Sequence, residues 1–256
     1  MLYSLLFTLV LAGSASTQES TRFQAVPDEL PIYQVLRTNE GIQVDGRLDE
    51  ADWQNAAPIA FVMPWSDLEK EEPQSTTARL LWDDDNLYII YECVDPYLHS
   101  EVTEHDGAVY QEDAVEIFAT PNMEVPGNYY GYEMNINGTL LDYIAFRGGK
   151  ERTKAIHPSW QSEGVVIATT YDGTLNDHSD TDQSWILEIS IPHDNFRHLG
   201  GQIPPQDGDQ WRAGLNRTKG YQGQFGLWSD TGTPKADFHR ANRFGILTFS
   251  AAAVGR

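Results

Sequence analysis

The 256-residue sequence contains only one cysteine and few basic residues, and both shortages limit what the protein can be. Cys93 cannot form a disulfide within the chain, so stability must come from burial of apolar surface or from bound metal. Lys and Arg number 17 against 38 Asp and Glu, and the resulting net charge of −21 disfavours nucleic acid and anionic membrane surfaces as partners. A neutral ligand such as a sugar, or bound cations, suits this charge.

Several motifs that carry chemistry are also missing. The sequence has no P-loop, no GxSxG nucleophile motif, no HExxH zinc motif and no CxxCH haem-attachment motif. We therefore expect no nucleotide cofactor, and no single motif indicates an enzyme.

The first 16 residues, MLYSLLFTLVLAGSAS, are the one long apolar run, and no later segment is apolar enough to span a membrane. Their length and small final residues predict a signal peptide cleaved near Ala15 or Ser16, and hence export to the periplasm or the extracellular space. Because no Lys or Arg precedes the apolar run, an uncleaved anchor is the alternative. Residues 17–40 are polar and predict a tether, and residues 41–250 predict one domain.

Short alternating stretches separated by turn residues recur along this domain, whereas no segment shows helical spacing of apolar residues over three turns. Residues 78–82 and 87–94 flank an Asp-rich turn and predict a β-hairpin. A second hairpin is predicted around Asn137-Gly138. The pattern indicates an all-β fold, an antiparallel β-sandwich of immunoglobulin-like or jelly-roll-like type.

The stretch YQEDAVEIF, residues 110–118, carries three carboxylates. In an extended strand Glu116 shares a face with Ala114 and Phe118, while Asp113 points to the opposite face. The two carboxylates therefore cannot flank one glycosidic bond as a catalytic pair without a bulge. If Tyr110 and Glu116 are to touch one ligand, the chain must bend between Tyr110 and Asp113.

A two-residue loop at Asn137-Gly138 places Glu133 directly opposite Asp142 on the neighbouring strand. Two like charges in this position are destabilising unless solvent, a raised pKa, a cation or a ligand hydroxyl intervenes. Arg212 or Arg217 is the candidate cation. A solvated pair on the outer face is the alternative.

The polar loop 172–182 offers Asp177, Asp180 and Asp182, which are hard oxygen ligands of the kind that Ca²⁺ prefers. Its spacing differs from that of an EF-hand. It predicts either a structural Ca²⁺ site or an ordinary acidic loop.

Six stretches in order resemble the family 9 carbohydrate-binding modules, within the broader class of DOMON-like β-sandwiches. They are IQVDGRLDEADW (42–53), ARLLWDDDNLYIIYECVD (78–95), YQEDAVEIF (110–118), SWILEISIP (184–192), GDQWRAGLNR (208–217) and WSDTGTPKADFHRANRFGIL (228–247). The resemblance implies a non-catalytic domain that holds a sugar chain end between two aromatic rings, is braced by Ca²⁺ and is associated with carbohydrate catabolism.

Carried over to this sequence, the resemblance assigns the first ring to Tyr110, the hydrogen-bonding carboxylate to Glu116 and the second ring to Phe238. Glu133 replaces an Arg of the family. Smaller rings and a reversed charge imply a weaker clamp. The implied partner is an oligosaccharide or polysaccharide, and the sequence gives no oligomeric state.

Two other functions stay open. Relatives in the DOMON-like class bind haem for electron transfer, and Met63, Met123 and Met134 are the available thioethers; a Soret band would support this hypothesis. A glycoside hydrolase that uses Glu116 with Glu133 or Asp142 is the other, and it requires these carboxylates to converge.

Overall fold

The structure is a computed structural model that describes residues 28–66, 73–146, 155–157, 160–218 and 223–255. The predicted signal peptide, 1–16, lies outside the described residues. The strands within them are β1 (Ile32–Arg37), β2 (Ile59–Ala60), β3 (Thr76–Trp82), β4 (Asn86–Val94), β5 (Ala114–Thr120), β6 (Asn128–Asn135), β7 (Leu140–Phe146), β8 (Ala155–His157), β9 (Val166–Asp172), β10 (Ser184–Pro192), β11 (Gln210–Thr218), β12 (Gly226–Leu227) and β13 (Gly245–Ala253).

Helices are short. They are α1 (Ala51–Asn55) and the 3₁₀ helices Val109–Gln111, His193–Leu199 and Ala241–Arg243. None of the helices in the described part of the chain is long and apolar enough to cross a membrane. The all-β fold predicted from the sequence is confirmed.

The strands form one curled sheet in the order β8-β7-β6-β5-β11-β13-β1-β3-β4-β10-β9, with β12 beside β11 and β2 beside β3. Most pairs are antiparallel, but β1 runs parallel to both of its neighbours, β13 and β3, so the sheet is mixed. Since β1 lies in the middle of this order, the sequence boundary at residue 41 is too late, and the segment predicted as a tether contains a central strand.

The main core lies between the two halves of the curled sheet, which makes the architecture a sandwich. Val115 and Ile117 of β5 and Ile89 of β4 belong to this cluster and are fully buried. The Tyr91 hydroxyl donates a hydrogen bond to the Glu116 carbonyl across the core at 3.1 Å. Alternation along β5 therefore sends odd-numbered side chains inward and leaves even-numbered ones for the outer face.

Each half also has an apolar cluster on its outer side. We call the outer side of β5, β6, β7 and β11 the cavity face, where Phe118, Tyr129 and Tyr143 are buried. We call the outer side of β3, β4 and β10 the capped face, because Trp53 of helix α1 packs there against Ile90. The two predicted hairpins, β3–β4 and β6–β7, both exist.

Candidate functional site

A cavity of about 580 Å³ lies over the cavity face, within the size range typical of small-molecule sites. All five residues that the sequence predicts to bind ligand line it: Tyr110, Glu116, Glu133, Asp142 and Phe238. They come from positions spread over more than half of the chain, and the fold brings them to one cavity.

Glu116 points to this cavity for the reason that strand alternation gives. Its neighbours Val115 and Ile117 lie in the main core, whereas Phe118 packs on the cavity face. Glu116 lies opposite Asn216 of β11, whose side-chain amide donates to the Glu116 carboxylate at 3.1 Å. Asp113, which precedes β5, is not among the residues that line the cavity.

The bend that the sequence demands between Tyr110 and Asp113 is present. Tyr110 lies in the 3₁₀ helix Val109–Gln111, and the backbone becomes extended at Glu112. In a fully extended chain Tyr110 would lie far from Glu116. Because of the turn, both residues line one cavity. The Tyr110 ring is 48% exposed and is therefore accessible to a ligand.

The other two carboxylates of this stretch brace a loop. Glu112 accepts hydrogen bonds from the backbone N–H groups of Glu101 and Val102, both at 2.8 Å. Asp113 accepts one from the His99 N–H at 2.8 Å. Because each carboxylate accepts backbone N–H groups in this way, both have a structural explanation separate from the cavity.

Glu133 lies in the cavity wall, but its predicted pairing with Asp142 is wrong. The Asn135 carbonyl accepts a hydrogen bond from the Gly138 N–H, and the Asn135 N–H donates to the Thr139 carbonyl, which closes a three-residue loop. Within this loop only Gly138 has a positive φ, of 75°. This pattern fits a type I turn followed by a bulge at glycine, which shifts the register by one residue relative to the two-residue loop. Glu133 is consequently opposite Leu141 on one side and opposite Glu116 on the other.

Two buried carboxylates, those of Glu116 and Glu133, thus occupy directly paired positions on adjacent strands, where side chains share a face. The Tyr143 hydroxyl donates to Glu133 at 2.7 Å. Burial and then the Glu133 charge raise the pKa of Tyr143 well above its ordinary value, so the phenol stays a donor. Gly131 makes this contact possible, since a Cβ at that position would overlap the Tyr143 ring.

Asp142 follows the same shift in register and pairs with Tyr132, which faces the main core. Its carboxylate accepts hydrogen bonds from the backbone N–H of Ser162, at 2.9 Å, and from the Ser162 hydroxyl. Asp142 borders the cavity, but its carboxylate belongs to the face opposite to that of Glu133.

The two candidate arginines do not neutralise these acids. Arg217 forms a fully buried ion pair with Asp95 at 2.8 Å. Arg212 donates to the backbone carbonyls of Phe244, Ala241 and Asn242. Register explains the first result, because Arg217 is opposite Val115 and so faces the core.

The second predicted ring, Phe238, is only 8% exposed. It packs against Trp65 and Phe225, with ring centroids 5.7 and 6.0 Å away. Phe225 also lines the cavity and was not predicted from the sequence. Phe238 therefore belongs to an aromatic wall, whereas Tyr110 is the more accessible ring.

His239 and Asp237 line the cavity beside Phe238 and were also missed. The His239 ring stacks on Phe118 at 4.9 Å, and its Nδ1 lies 2.8 Å from the Tyr129 hydroxyl. Both residues are immediate neighbours of Phe238 in the stretch ADFHR, and this adjacency is the sequence signal that could have identified them as cavity residues.

Among the described residues, the charge of the cavity lining is one-sided. Five carboxylate residues line it, and none of the described lining residues is Lys or Arg. Carboxylates accept hydrogen bonds from hydroxyl groups, whereas they repel an anionic ligand. The wall is thus suited to a neutral polyol with one apolar surface for an aromatic ring.

The acidic loop predicted to hold Ca²⁺ does not form one donor set. The Asp182 carboxylate is buried and accepts hydrogen bonds from the backbone N–H groups of Leu98 and Thr174, at 2.7 and 2.6 Å. Asp177 accepts from the Ser179 N–H, and Asp180 is exposed. Within the described ranges, these three aspartates do not converge on a common point. Ca²⁺ binding by this chain stays a prediction.

Solved structures share the fold. A protein from Bacteroides uniformis, to which carbohydrate binding has been provisionally assigned, superposes with a TM-score of 0.66 at 19% identity, covering 87% of this chain and 100% of its own. A family 9 carbohydrate-binding module from Caldicellulosiruptor kristjanssonii in complex with cellotriose gives 0.56 at 16% identity, covering 86% and 94%. The same organism's module in complex with glucose gives 0.53 at 17%, covering 85% and 96%.

Comparison with curated protein sequences gives no match. The family model described as "Carbohydrate family 9 binding domain-like" matches residues 44–251, which is most of the chain and nearly all of its strands. The six sequence stretches, the curled sandwich and this match agree. The chain belongs to the carbohydrate family 9 binding domain-like family.

Proposed function

We propose that this protein is an exported, non-catalytic carbohydrate-binding protein that holds a sugar in the cavity over β5, β6 and β7. The observation that carries the proposal is the arrangement of Tyr110, Glu116 and Glu133. An accessible ring and two paired, buried carboxylates line one cavity of about 580 Å³. The ring can cover the C–H surface of a pyranose while the carboxylates accept its hydroxyl protons.

Family membership supports this function, and the solved modules from Caldicellulosiruptor kristjanssonii hold glucose and cellotriose. The acidic lining also indicates which kind of sugar should bind best. Because the described lining has carboxylates and no Lys or Arg, we expect neutral sugars to bind better than uronic acids.

The test is calorimetric titration with glucose, cellobiose, cellotriose and glucuronic acid. Neutral sugars should bind and glucuronic acid should bind at least about tenfold more weakly, a difference of about 1.4 kcal/mol. Tyr110→Ala should weaken binding. The matched control is Tyr171→Ala, because Tyr171 is equally exposed, at 49%, but lies on β9 in the other half of the sheet. Binding of no sugar at all, or equal losses in both variants, would contradict the proposal.

One observation favours a second candidate, a glycoside hydrolase. Glu116 and Glu133 are cross-strand partners whose Cβ atoms are expected about 4.5–5.5 Å apart, and this allows their carboxyl groups to adopt the ~5 Å separation of retaining glycosidases. Asp142 is excluded from such a pair by its register. Turnover of aryl glycosides by the wild type, abolished in both Glu116→Gln and Glu133→Gln, would favour the hydrolase over the binding protein.

A further inference from the structure

A cluster of three potential metal ligands adjoins the cavity; two of its members line the cavity, but none is among the proposed sugar contacts Tyr110, Glu116 and Glu133. It consists of His105, Asp106 and Asp142, and one ligand atom from each lies within 4.8 Å of the others. His105 Nε2 is 3.6 Å from Asp106 Oδ1 and 3.9 Å from Asp142 Oδ1. The backbone N–H of Asp106 donates to the Leu140 carbonyl at 2.9 Å, which fixes the loop of His105 and Asp106 against strand β7.

Asp142 supplies an independent sign that a cation belongs here. Its side chain is fully buried, and Ser162 satisfies only Oδ2. In the described part of the structure, no donor lies within hydrogen-bond distance of Oδ1. A buried carboxylate oxygen without a donor is costly. This oxygen is the one directed toward His105.

The donor types select the kind of ion. Imidazole suits Zn²⁺ and neighbouring transition metals, whereas Ca²⁺ takes oxygen ligands. Zn–N and Zn–O bonds of about 2.0–2.2 Å place neighbouring tetrahedral ligands ~3.4 Å apart. The observed distances of 3.6 and 3.9 Å need only a small contraction, and His105 and Asp106 are half-exposed side chains that can make it.

We propose that His105, Asp106 and Asp142 form a binding site for a divalent transition-metal ion of the Zn²⁺ class. Gln161 Oε1 lies in contact with His105 Nε2, and it offers a fourth ligand atom, the third oxygen of the set. The Gln161 amide also donates to Asp106 Oδ2 at 2.8 Å, which orients that carboxylate. The strongly acidic protein as a whole raises the local concentration of cations.

The test titrates Zn²⁺ alone into chelator-treated full-length protein at physiological salt. One ion per chain should bind to the site, and Ca²⁺ should not displace it. His105→Gln and Asp106→Asn should each weaken the site at least about tenfold, since even loss of a residue that supports a ligand costs 10–100-fold. Co²⁺ in place of Zn²⁺ should give visible absorption bands that disappear in His105→Gln.

Matched controls are His198→Gln and Asp49→Asn, both at exposed positions outside the cluster. They should leave the Zn²⁺ affinity and the Co²⁺ bands unchanged. Unaltered Zn²⁺ binding in His105→Gln, no Zn²⁺ binding by the wild type, or displacement by equimolar Ca²⁺ would overturn the proposal. No sugar is present in these titrations, so their outcome is separate from that of the proposed function.

Discussion

The two outer faces of the sandwich each carry a buried carboxylate at the centre of a strand, but the surroundings of the two carboxylates differ. On the capped face, Glu188 of β10 is covered by the segment 45–53. On the cavity face, Glu116 of β5 borders an open cavity. The same residue type in the same kind of position is thus a structural anchor on one face and a candidate ligand contact on the other.

Glu188 shows how a carboxylate is closed off. It accepts hydrogen bonds from the backbone N–H groups of Asp45 and Gly46, at 2.8 and 2.9 Å, and from the Trp53 indole N–H at 2.8 Å. The stretch IQVDGRLDEADW, which contributed to the family resemblance, therefore has a physical role. It brings three donors to one buried acid and closes the capped face.

The comparison teaches that burial alone does not identify a binding carboxylate. Glu116 and Glu133 are nearly as buried as Glu188, with 3% exposure each. What distinguishes them is that a cavity adjoins them and that they are paired with each other across adjacent strands. A ligand hydroxyl can reach these two acids, whereas loop and helix donors already occupy Glu188.

The largest effect on stability should come from removing the carboxylate of the capped face. Glu188→Ala leaves three N–H donors without an acceptor, and we expect the free energy of unfolding to fall by roughly 2–4 kcal/mol. Urea denaturation measures this loss. Calorimetry on the folded variant should give wild-type sugar affinity, and a stability within about 0.5 kcal/mol of wild type would contradict the anchoring role.

Glu116→Gln should give the opposite result. Loss of a charge-assisted hydrogen bond of about 1.5–3 kcal/mol should weaken sugar binding by roughly 10–100-fold. Stability should be unchanged or higher, because one charge of the Glu116–Glu133 pair is removed. Parallel calorimetry and urea denaturation on Glu188→Gln provide the control, and unchanged sugar affinity in Glu116→Gln would rule out its role as ligand contact.

Tyr143→Phe should have a smaller effect. It removes the hydroxyl that donates to Glu133, and we expect a loss of about 1 kcal/mol in the free energy of unfolding. Because the pKa of Tyr143 is well above its ordinary value, the loss should be the same at neutral and mildly alkaline pH. A loss that vanishes on raising the pH to 9 would mean that the phenol ionises in that range.

The smallest effect concerns pH. Burial, and to a lesser extent the Glu50 charge, raises the pKa of Glu188 above its ordinary value of 4.5. The folded state therefore keeps this proton to higher pH than the unfolded state, so its contribution to stability is greatest below pH 4.5 and is lost as pH rises through the folded pKa.

Glu188→Gln lacks this titration, which gives the measurement. The free energy of unfolding of the wild type minus that of Glu188→Gln should decrease from acid to neutral pH. Urea denaturation at several pH values on both sides of 4.5 determines the difference. A difference that increases with pH would show that the hydrogen bonds outweigh burial and lower the pKa of Glu188.

Local sequence patterns predicted the parts of the fold that local rules determine. The β3–β4 hairpin forms around Asp83, whose carboxylate accepts the backbone N–H groups of Asp85 and Asn86, as expected for an Asp-rich turn. Alternation in β5 gave the direction of Glu116 correctly. The family resemblance then placed Tyr110 and Phe238 in the same wall.

Other features depend on choices that local sequence does not determine. Asn137-Gly138 fits two turn types, and the one-residue difference between them decides whether Asp142 joins Glu133. Asp182 is a residue type that binds metal ions, but the backbone N–H groups of the distant Leu98 and of Thr174 in its own loop occupy its oxygens. Strand β1 has no strong alternating pattern, and its place in the sheet comes from pairing with distant strands.

The parallel pairing of β1 with β13 has a consequence for how this protein folds. It joins Ile32 to Ile246, near opposite ends of the described chain, and β13 connects β1 with β11 in the sheet order. Such non-local pairing raises contact order and slows folding. During synthesis the sheet cannot become continuous between β1 and β11 until β13 has left the ribosome, and until then the apolar inner surfaces need protection from aggregation.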